Sequence, residues 1–263
     1  MTSGSNRHLQ TSLYVVQYFA LLLILVVAWQ ALSDLGYIQP IILPPPSRVL
    51  ATLWGMTTSG LLARHIGISV IRVLEGFGIA ALLGLALGIG IGLSRTLDRM
   101  TGLLIQLIKP IPPIAWIPLA ILWFGIGEQS KVYIIFLGAF FPVIINTIDG
   151  IRQTDHKLVE VARILEVSKS RFIWQVVLPG AFPTIMTGLR VGLMVAWMCV
   201  VAAELIAAGS GVGYLIMDAR QLSQSDVVVV GMITIGVIGK LMDSLISLLE
   251  KRVITWKSVF SGV

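Results

Sequence analysis

The sequence predicts an all-α, polytopic membrane protein with about six transmembrane helices. Three observations carry this expectation. The chain is 56% hydrophobic and only 12% charged, whereas soluble domains carry about 25% charged residues; no water-soluble fold of this size hides so much apolar surface, which excludes a soluble enzyme. The apolar residues fall in runs of about 20, the length that crosses a hydrocarbon core. The 19 Lys and Arg are spread along the chain and flank those runs rather than forming one basic face. The net charge of +6 therefore speaks for orientation in a membrane and against nucleic acid as a partner. With 263 residues, a single transmembrane domain over residues 1–263 is the expected organisation.

The first span is expected over Leu13 to Leu35. It follows a weakly basic lead, Arg7 and His8, and is longer than a signal-peptide core, so it reads as retained in the membrane. Pro40, Pro44, Pro45 and Pro46 then exclude continuous helix, and Ser47 is placed to cap a short surface helix over Arg48 to Met56. The second span is Phe77 to Leu93, extended backwards as an amphipathic helix from about Leu61. Within it Gly84, Gly88 and Gly92 recur every four residues. That spacing gives either a ridge for close helix packing or the general glycine enrichment of membrane helices.

A third span over Leu103 to Phe124 holds Pro110, Pro112, Pro113 and Pro118. Four residues without an N–H cannot sit in one straight helix, and irregular backbone at membrane depth persists only against protein or a water-lined cavity. This span is the expected lining of a path. The fourth span, Val132 to Ile148, leads into a charged stretch, Asp149 to Gln175, read as short helices outside the membrane with a partly buried face. The fifth span covers Thr184 to Ala208 and the sixth Val227 to Leu249.

Orientation follows from the basic residues. With the N-terminus inside, Arg7, Arg95, Arg99, Lys109, Arg152, Lys157, Arg163, Lys169, Arg171, Lys251, Arg252 and Lys257 lie on the cytoplasmic side, against Arg48, Arg64, Lys131 and Arg220 outside. Both termini and the charged stretch are thus expected in the cytoplasm. No HExxH, GxSxG, CxxC or GxxxxGK[ST] occurs, so no catalytic residues, no metal site and no phosphate-cradling loop are expected in this chain. Cys199 stands alone inside an apolar run, which removes any intrachain disulfide.

The segment EVARILEVSKSRFIWQVVLP, Glu160 to Pro179, resembles the cytoplasmic signature of permease subunits of bacterial ABC importers. That signature is Glu-Ala-Ala, three residues, Gly, nine residues, then Ile-x-Leu-Pro. Glu160, Ala162, Leu178 and Pro179 match; Val161 and Val176 stand in at two positions, and Glu166 occupies the place of the glycine. Glycine there permits a backbone angle that glutamate resists. LPPPSRVLATL, PIPPIAWIPLAILWFGIGEQSK and AAELIAAGSGVGYLI extend the likeness to the nitrate, sulfonate and taurine branch of the family, over about residues 40 to 250.

The resemblance implies the type I ABC importer permease fold in a bacterial inner membrane. It implies pairing with a second copy or a close relative, two cytoplasmic ATPase subunits that hold ATP and Mg, and a periplasmic or lipid-anchored substrate-binding protein. A coupling helix would lie within a cytoplasmic loop at 150–180, with Glu160, Ala162, Arg163, Leu165, Glu166, Val167, Ser168, Leu178 and Pro179 contacting the ATPase or shaping that contact. Small oxyanions or organosulfonates are the implied solutes; bicarbonate, an aromatic acid or a vitamin precursor would use the same scaffold.

For the path, Pro110, Pro113, Trp116, Pro118 and Trp123 are expected to line it, although tryptophans also anchor helices at interfaces. Glu204, near the outer end of the fifth span, either lines or gates the path or hydrogen-bonds to a neighbouring loop. Arg190 either attracts an anion or snorkels to headgroups, and Lys240 is spaced to pair with Asp243. A membrane-embedded enzyme would need clustered His, Asp or Ser, and a simple membrane anchor would leave the four prolines without a purpose.

Overall fold

The computed structural model describes residues 20–154 and 156–253, the side chains of His156 and Arg163 excepted. The expected start of the first span, the N-terminal Arg7 and His8, and Lys257 in the basic tail therefore lie outside the described residues. The described residues form helices throughout: α1 Ala20–Asp34, then α2 Pro46–Thr58, α3 Leu61–Leu93, α4 Arg95–Ile108, a 3₁₀ turn Pro113–Trp116, α5 Ile117–Phe124, α6 Glu128–Arg152, α7 His156–Ile164, α8 Lys169–Phe172, a π turn Ile173–Val177, α9 Leu178–Ala207, α10 Val212–Gln221 and α11 Ser225–Val253. Among the described residues α3, α6, the run containing α9, and α11 are long and apolar enough to cross a membrane. The bent pair formed by α4 and the segment Pro113–Phe124 makes a fifth if counted as one span. Of the first expected span, Leu13 to Leu35, residues 20–35 are described, and they hold the shorter apolar helix α1.

The chain divides into two compact units. One holds the described residues up to Ala63 with Leu215–Ile233; the other holds the described residues of Arg64–Tyr214 with the remainder of α11. In the first unit, α2 starts two residues earlier than expected. Pro45 is its N-cap and Pro46 its first residue, with no side-chain cap, because proline's fixed φ and missing N–H suit the first helical position. Ser47 is thus inside the helix rather than capping it, and its orphan N–H donates to Gln30 Oε1 at 3.1 Å. Thr52 Oγ1 donates to Asp226 Oδ2 at 2.7 Å, and Arg48 pairs with the same carboxylate at 3.6 Å.

In the second unit the core is made by α3, α6 and α9, with Val73, Ala80, Ile134, Ile135, Ala139, Ala196, Trp197 and Val200 buried together. The four-residue glycine spacing on α3 is a packing ridge. A Cβ on Gly84 would stand 2.9 Å from Val143 Cγ1, on Gly88 2.7 Å from Thr147 Cβ, and on Gly92 3.0 Å from Ile151. Gly76 lies two steps further up the same stripe, where a Cβ would stand 2.6 Å from Ile135 Cγ2, and Ala80 fills the place between. α9 approaches α6 the same way, with Gly188 against Asn146 and Gly192 against Val143. Trp197 donates its indole N–H to Ile235 O at 3.1 Å, which ties α11 to α9.

The third span differs from expectation. Its helix starts at Arg95 rather than Leu103, because Ser94 caps α4 by accepting from Leu97 N. α4 is amphipathic with no buried residue, and it meets the following segment at a bend of 88°. Pro110 and Pro112 lie in the break, Pro113 opens the 3₁₀ turn, and Pro118 sits in the first turn of α5. Pro118 is therefore a helix starter rather than a breaker. Gly125, at φ +75°, ends α5.

Candidate functional site

Beside the break between α4 and α5 lies a cavity of about 350 Å³. Its walls are mostly apolar, with Phe141 and Ile145 of α6 and Val191 and Val195 of α9. Of the sequence-predicted path residues, Pro113 lines it. Pro110 and Pro118 are exposed, Trp116 packs half-buried against the core, and Trp123 sets its edge on Tyr133 with ring centroids 6.0 Å apart. Three residues absent from the sequence-based set bring polarity to this cavity: Lys109, Pro142 and Asn146. Pro142 lies inside α6 and has no N–H for the Gly138 carbonyl one turn before it. Asn146 in turn donates to the Pro142 carbonyl at 2.8 Å. A proline and an asparagine four apart in an apolar span were the available signal.

Lys109 and Ile145 also line a second cavity, of about 180 Å³, with Asp98, Gln106, Asp149 and Arg152. This shares Asp98 and Arg152 with a groove of about 550 Å³ that carries Arg95 and Arg99. Arg152 and Asp98 form an ion pair across it.

A separate polar cluster surrounds Glu204, which is 1% exposed. Arg72 Nη1 donates to Glu204 Oε1 at 2.8 Å and to the Ser210 carbonyl at 2.7 Å. Its Nε and Nη2 hold Glu128 in a two-pronged pair at 2.5 and 2.7 Å, and Lys131 joins Glu128 at 2.9 Å. Ser69 donates to Glu204 at 2.8 Å and accepts from Val212 N at 2.9 Å. Gly213 N donates to Glu204 Oε2 at 2.9 Å. The geometry at Glu204 is that of a carboxylate bonded to the loop that follows its own helix. Gly211, at φ +109°, passes so close that a Cβ there would collide with the Glu204 carboxylate. Two acids and two bases balance inside this cluster, and each carboxylate oxygen of Glu204 has donors, as a buried charge requires.

Arg190 is held by Asp243 in a two-pronged pair at 2.6 and 2.9 Å. Lys240 reaches the same carboxylate only at 3.6 Å, so the main partner of Asp243 is on α9 rather than one turn away on α11.

α7 carries the signature segment. Leu158, Val161, Ile164 and Leu165 are exposed apolar residues, Ile164 by 79% and Leu165 by 67%, and Glu160 is exposed beside them. The side chain of Arg163 lies outside the described set. Glu166 sits at φ +49°, while Val167 N donates to Ala162 O at 3.0 Å. This is the six-to-one bond that closes a helix whose next residue is left-handed. Glutamate therefore adopts the angle that glycine takes more readily, at a cost of about 1–2 kcal/mol. Ser168 precedes α8 without a side-chain hydrogen bond. The π turn then carries the chain into α9, where Leu178 and Pro179 form the first turn. Pro179 offers no N–H to the Gln175 carbonyl, so the regular ladder widens at that point.

Among the described residues no group of three or more His, Cys, Asp or Glu is placed to hold a metal ion. Residues 80–255 match the family model of the binding-protein-dependent transport system inner membrane component. The chain is 44% identical over 239 residues to an aliphatic sulfonates transport permease protein of Bacillus subtilis (strain 168), covering 91% of this chain and 87% of that one. It is 37% identical over 242 residues to the taurine transport system permease protein of Escherichia coli (strain K12), covering 89% and 87%. To the nitrate import permease protein of Synechocystis sp. it is 36% identical over 241 residues, covering 88% and 86%. Among solved structures, an inward-facing form of the MetNI methionine ABC transporter matches with a TM-score of 0.66 at 16% identity, covering 75% of this chain and 98% of that one. The likeness in fold and the likeness in sequence agree: the chain belongs to the family of binding-protein-dependent transport system inner membrane components.

Proposed function

We propose that this chain is the permease subunit of an ATP-driven importer for a small anion, with an alkanesulfonate or taurine as the first choice of solute and nitrate as the second. It is a transport permease and not itself an ATPase. Two copies would share the membrane, two cytoplasmic ATPase chains would bind ATP and Mg beneath them, and a binding protein would deliver solute from outside. Both termini and the loop at 150–180 would face the cytoplasm.

The observation that carries this reading is the exposed apolar face of α7 joined to α9. A helix that leaves Val161, Ile164 and Leu165 in water needs a partner with an apolar groove. Its end is fixed by the Glu166 turn, and the chain runs on through the π turn into α9, which supplies Val191 and Val195 to the cavity wall. Displacement of α7 by a closing ATPase pair would thus move that wall, and ATP binding would bias the two access states of the spans.

The permease, reconstituted in liposomes with its ATPase and binding protein, should take up its anion only with ATP. Leu165→Asp and Glu160→Ala should each lower uptake by about ten-fold or more while the permease still assembles in the membrane, because a charge or a lost contact at the docking face costs about 1.4 kcal/mol or more per factor of ten. Uptake and solute-stimulated ATPase activity unchanged in both variants would overturn the coupling assignment.

A further inference from the structure

We propose that the cavity beside the α4 to α5 break is a solute-binding station built for a short aliphatic sulfonate, with Lys109 as the sulfonate ligand and Asn146 as its second donor. This rests on the anion-importer reading above and adds a place and a chemical class to it. Lys109 is the cation on the cavity wall, and among the described residues no carboxylate lies within ion-pair distance of its ammonium. It caps the C-terminus of α4, where the free carbonyls favour a positive charge and hold it at the break. An exposed ionisable group beside an apolar-walled cavity in a membrane transport chain marks a solute pathway more readily than a packing site. Asn146 spends one amide N–H on the Pro142 carbonyl, which leaves the other N–H for a ligand.

The remaining surface decides the class. Phe141, Ile145, Val191 and Val195 offer no hydrogen bond. Nitrate or bicarbonate, with polar oxygens all round, would leave several of them unpaired against these walls, which is costly. An alkanesulfonate presents its oxygens to Lys109 and Asn146 and its chain to the apolar side. The volume of about 350 Å³ falls at the small end of the range of ligand pockets. Lys109 also borders the second cavity, which leads to the Arg152 and Arg95 groove, so release on that side proceeds from one cation to the next. Such a station must bind weakly enough to let go.

The detergent-solubilised complex of permease and ATPase, without its binding protein, should bind ethanesulfonate through hexanesulfonate with an affinity that rises about four-fold per added methylene. Lys109→Ala should weaken every member by ten-fold or more, Lys109→Arg should retain binding, and Val191→Trp, which fills the cavity, should abolish the gain with chain length. Lys109→Ala permease that co-elutes with its ATPase at the wild-type position on size exclusion checks that the complex is intact. Sulfonate binding that ignores both Lys109→Ala and Val191→Trp overturns the station and leaves the importer reading standing. ATP-driven uptake of nitrate or bicarbonate with no sulfonate uptake by the complete system overturns the station together with the sulfonate choice.

Discussion

Arg72 joins Glu204, Glu128 and the Ser210 carbonyl into one cluster. Its guanidinium, 3% exposed at the side chain, meets two carboxylates of different standing: Glu204, fully enclosed, and Glu128, 61% exposed. A buried charge that loses its partner keeps its desolvation cost, whereas an exposed one is taken over by water. Arg72→Ala should therefore destabilise the protein by about 3–5 kcal/mol, and Glu128→Gln by about 1 kcal/mol or less, read as thermal midpoints of the purified protein in detergent. Equal losses in the two variants would show that Glu204 is solvated and the cluster open. Of this cluster the sequence offered a Glu204 bond to a neighbouring loop as one of two readings, but its partners were not legible, and Lys131 counted only as an outer flank. Ser69 and Arg72 meet Glu204 across separations of 135 and 132 residues, and no periodicity reports a contact at that range. Glu166 is the opposite case: the motif marks a glycine position, and the glutamate there takes the left-handed angle at φ +49°.

At the scale of helices, the glycine stripe shows how far spacing alone carries. Gly84, Gly88 and Gly92 are visible because they recur every four residues, which places them on one face. Gly188 and Gly192 on α9 repeat that spacing once and meet α6 in the same way, whereas Gly138 on α6 stands singly, so nothing in the sequence separates it from an incidental glycine. Gly90 gives the internal control. A Cβ on Gly90 would have Leu97 at 3.8 Å as its nearest neighbour, whereas on Gly88 it would meet Thr147 at 2.7 Å and the Ile144 carbonyl at 3.1 Å. Backbone cannot step aside as a side chain can. Gly88→Ala should accordingly cost about 1–3 kcal/mol through overpacking, while Gly90→Ala should stabilise α3 by about 0.5–1 kcal/mol through helix propensity. Melting midpoints that move in the same direction for the pair would mean that α6 is not held against this face. The break in the third span was legible from its prolines, but its direction was not. The same residue type breaks a helix at Pro110 and Pro112 and starts one at Pro118, and only the neighbouring caps decide which.

At the scale of the whole molecule, the distribution of basic residues predicts an orientation that a chemical label can test. Twelve Lys and Arg fall on the side assigned to the cytoplasm and four on the other, a bias of the kind that fixes topology during insertion. The chain is well suited to the test, because its single cysteine, Cys199, is buried at 4% exposure and burial pushes reagents away from it. Ile164→Cys, at a site 79% exposed on α7, should react with a membrane-impermeant maleimide in inside-out vesicles and stay unlabelled in right-side-out ones. Ser59→Cys, exposed at the end of α2, should give the reverse. Wild-type protein should remain unlabelled in both until unfolded. Labelling of Ile164→Cys from the outside would place α7 away from any ATPase, and with it would go the route by which ATP reaches α9. The rule of positive charges would then have failed on a threefold bias, and the docking partner of the apolar α7 face would have to be sought on the outer side of the membrane.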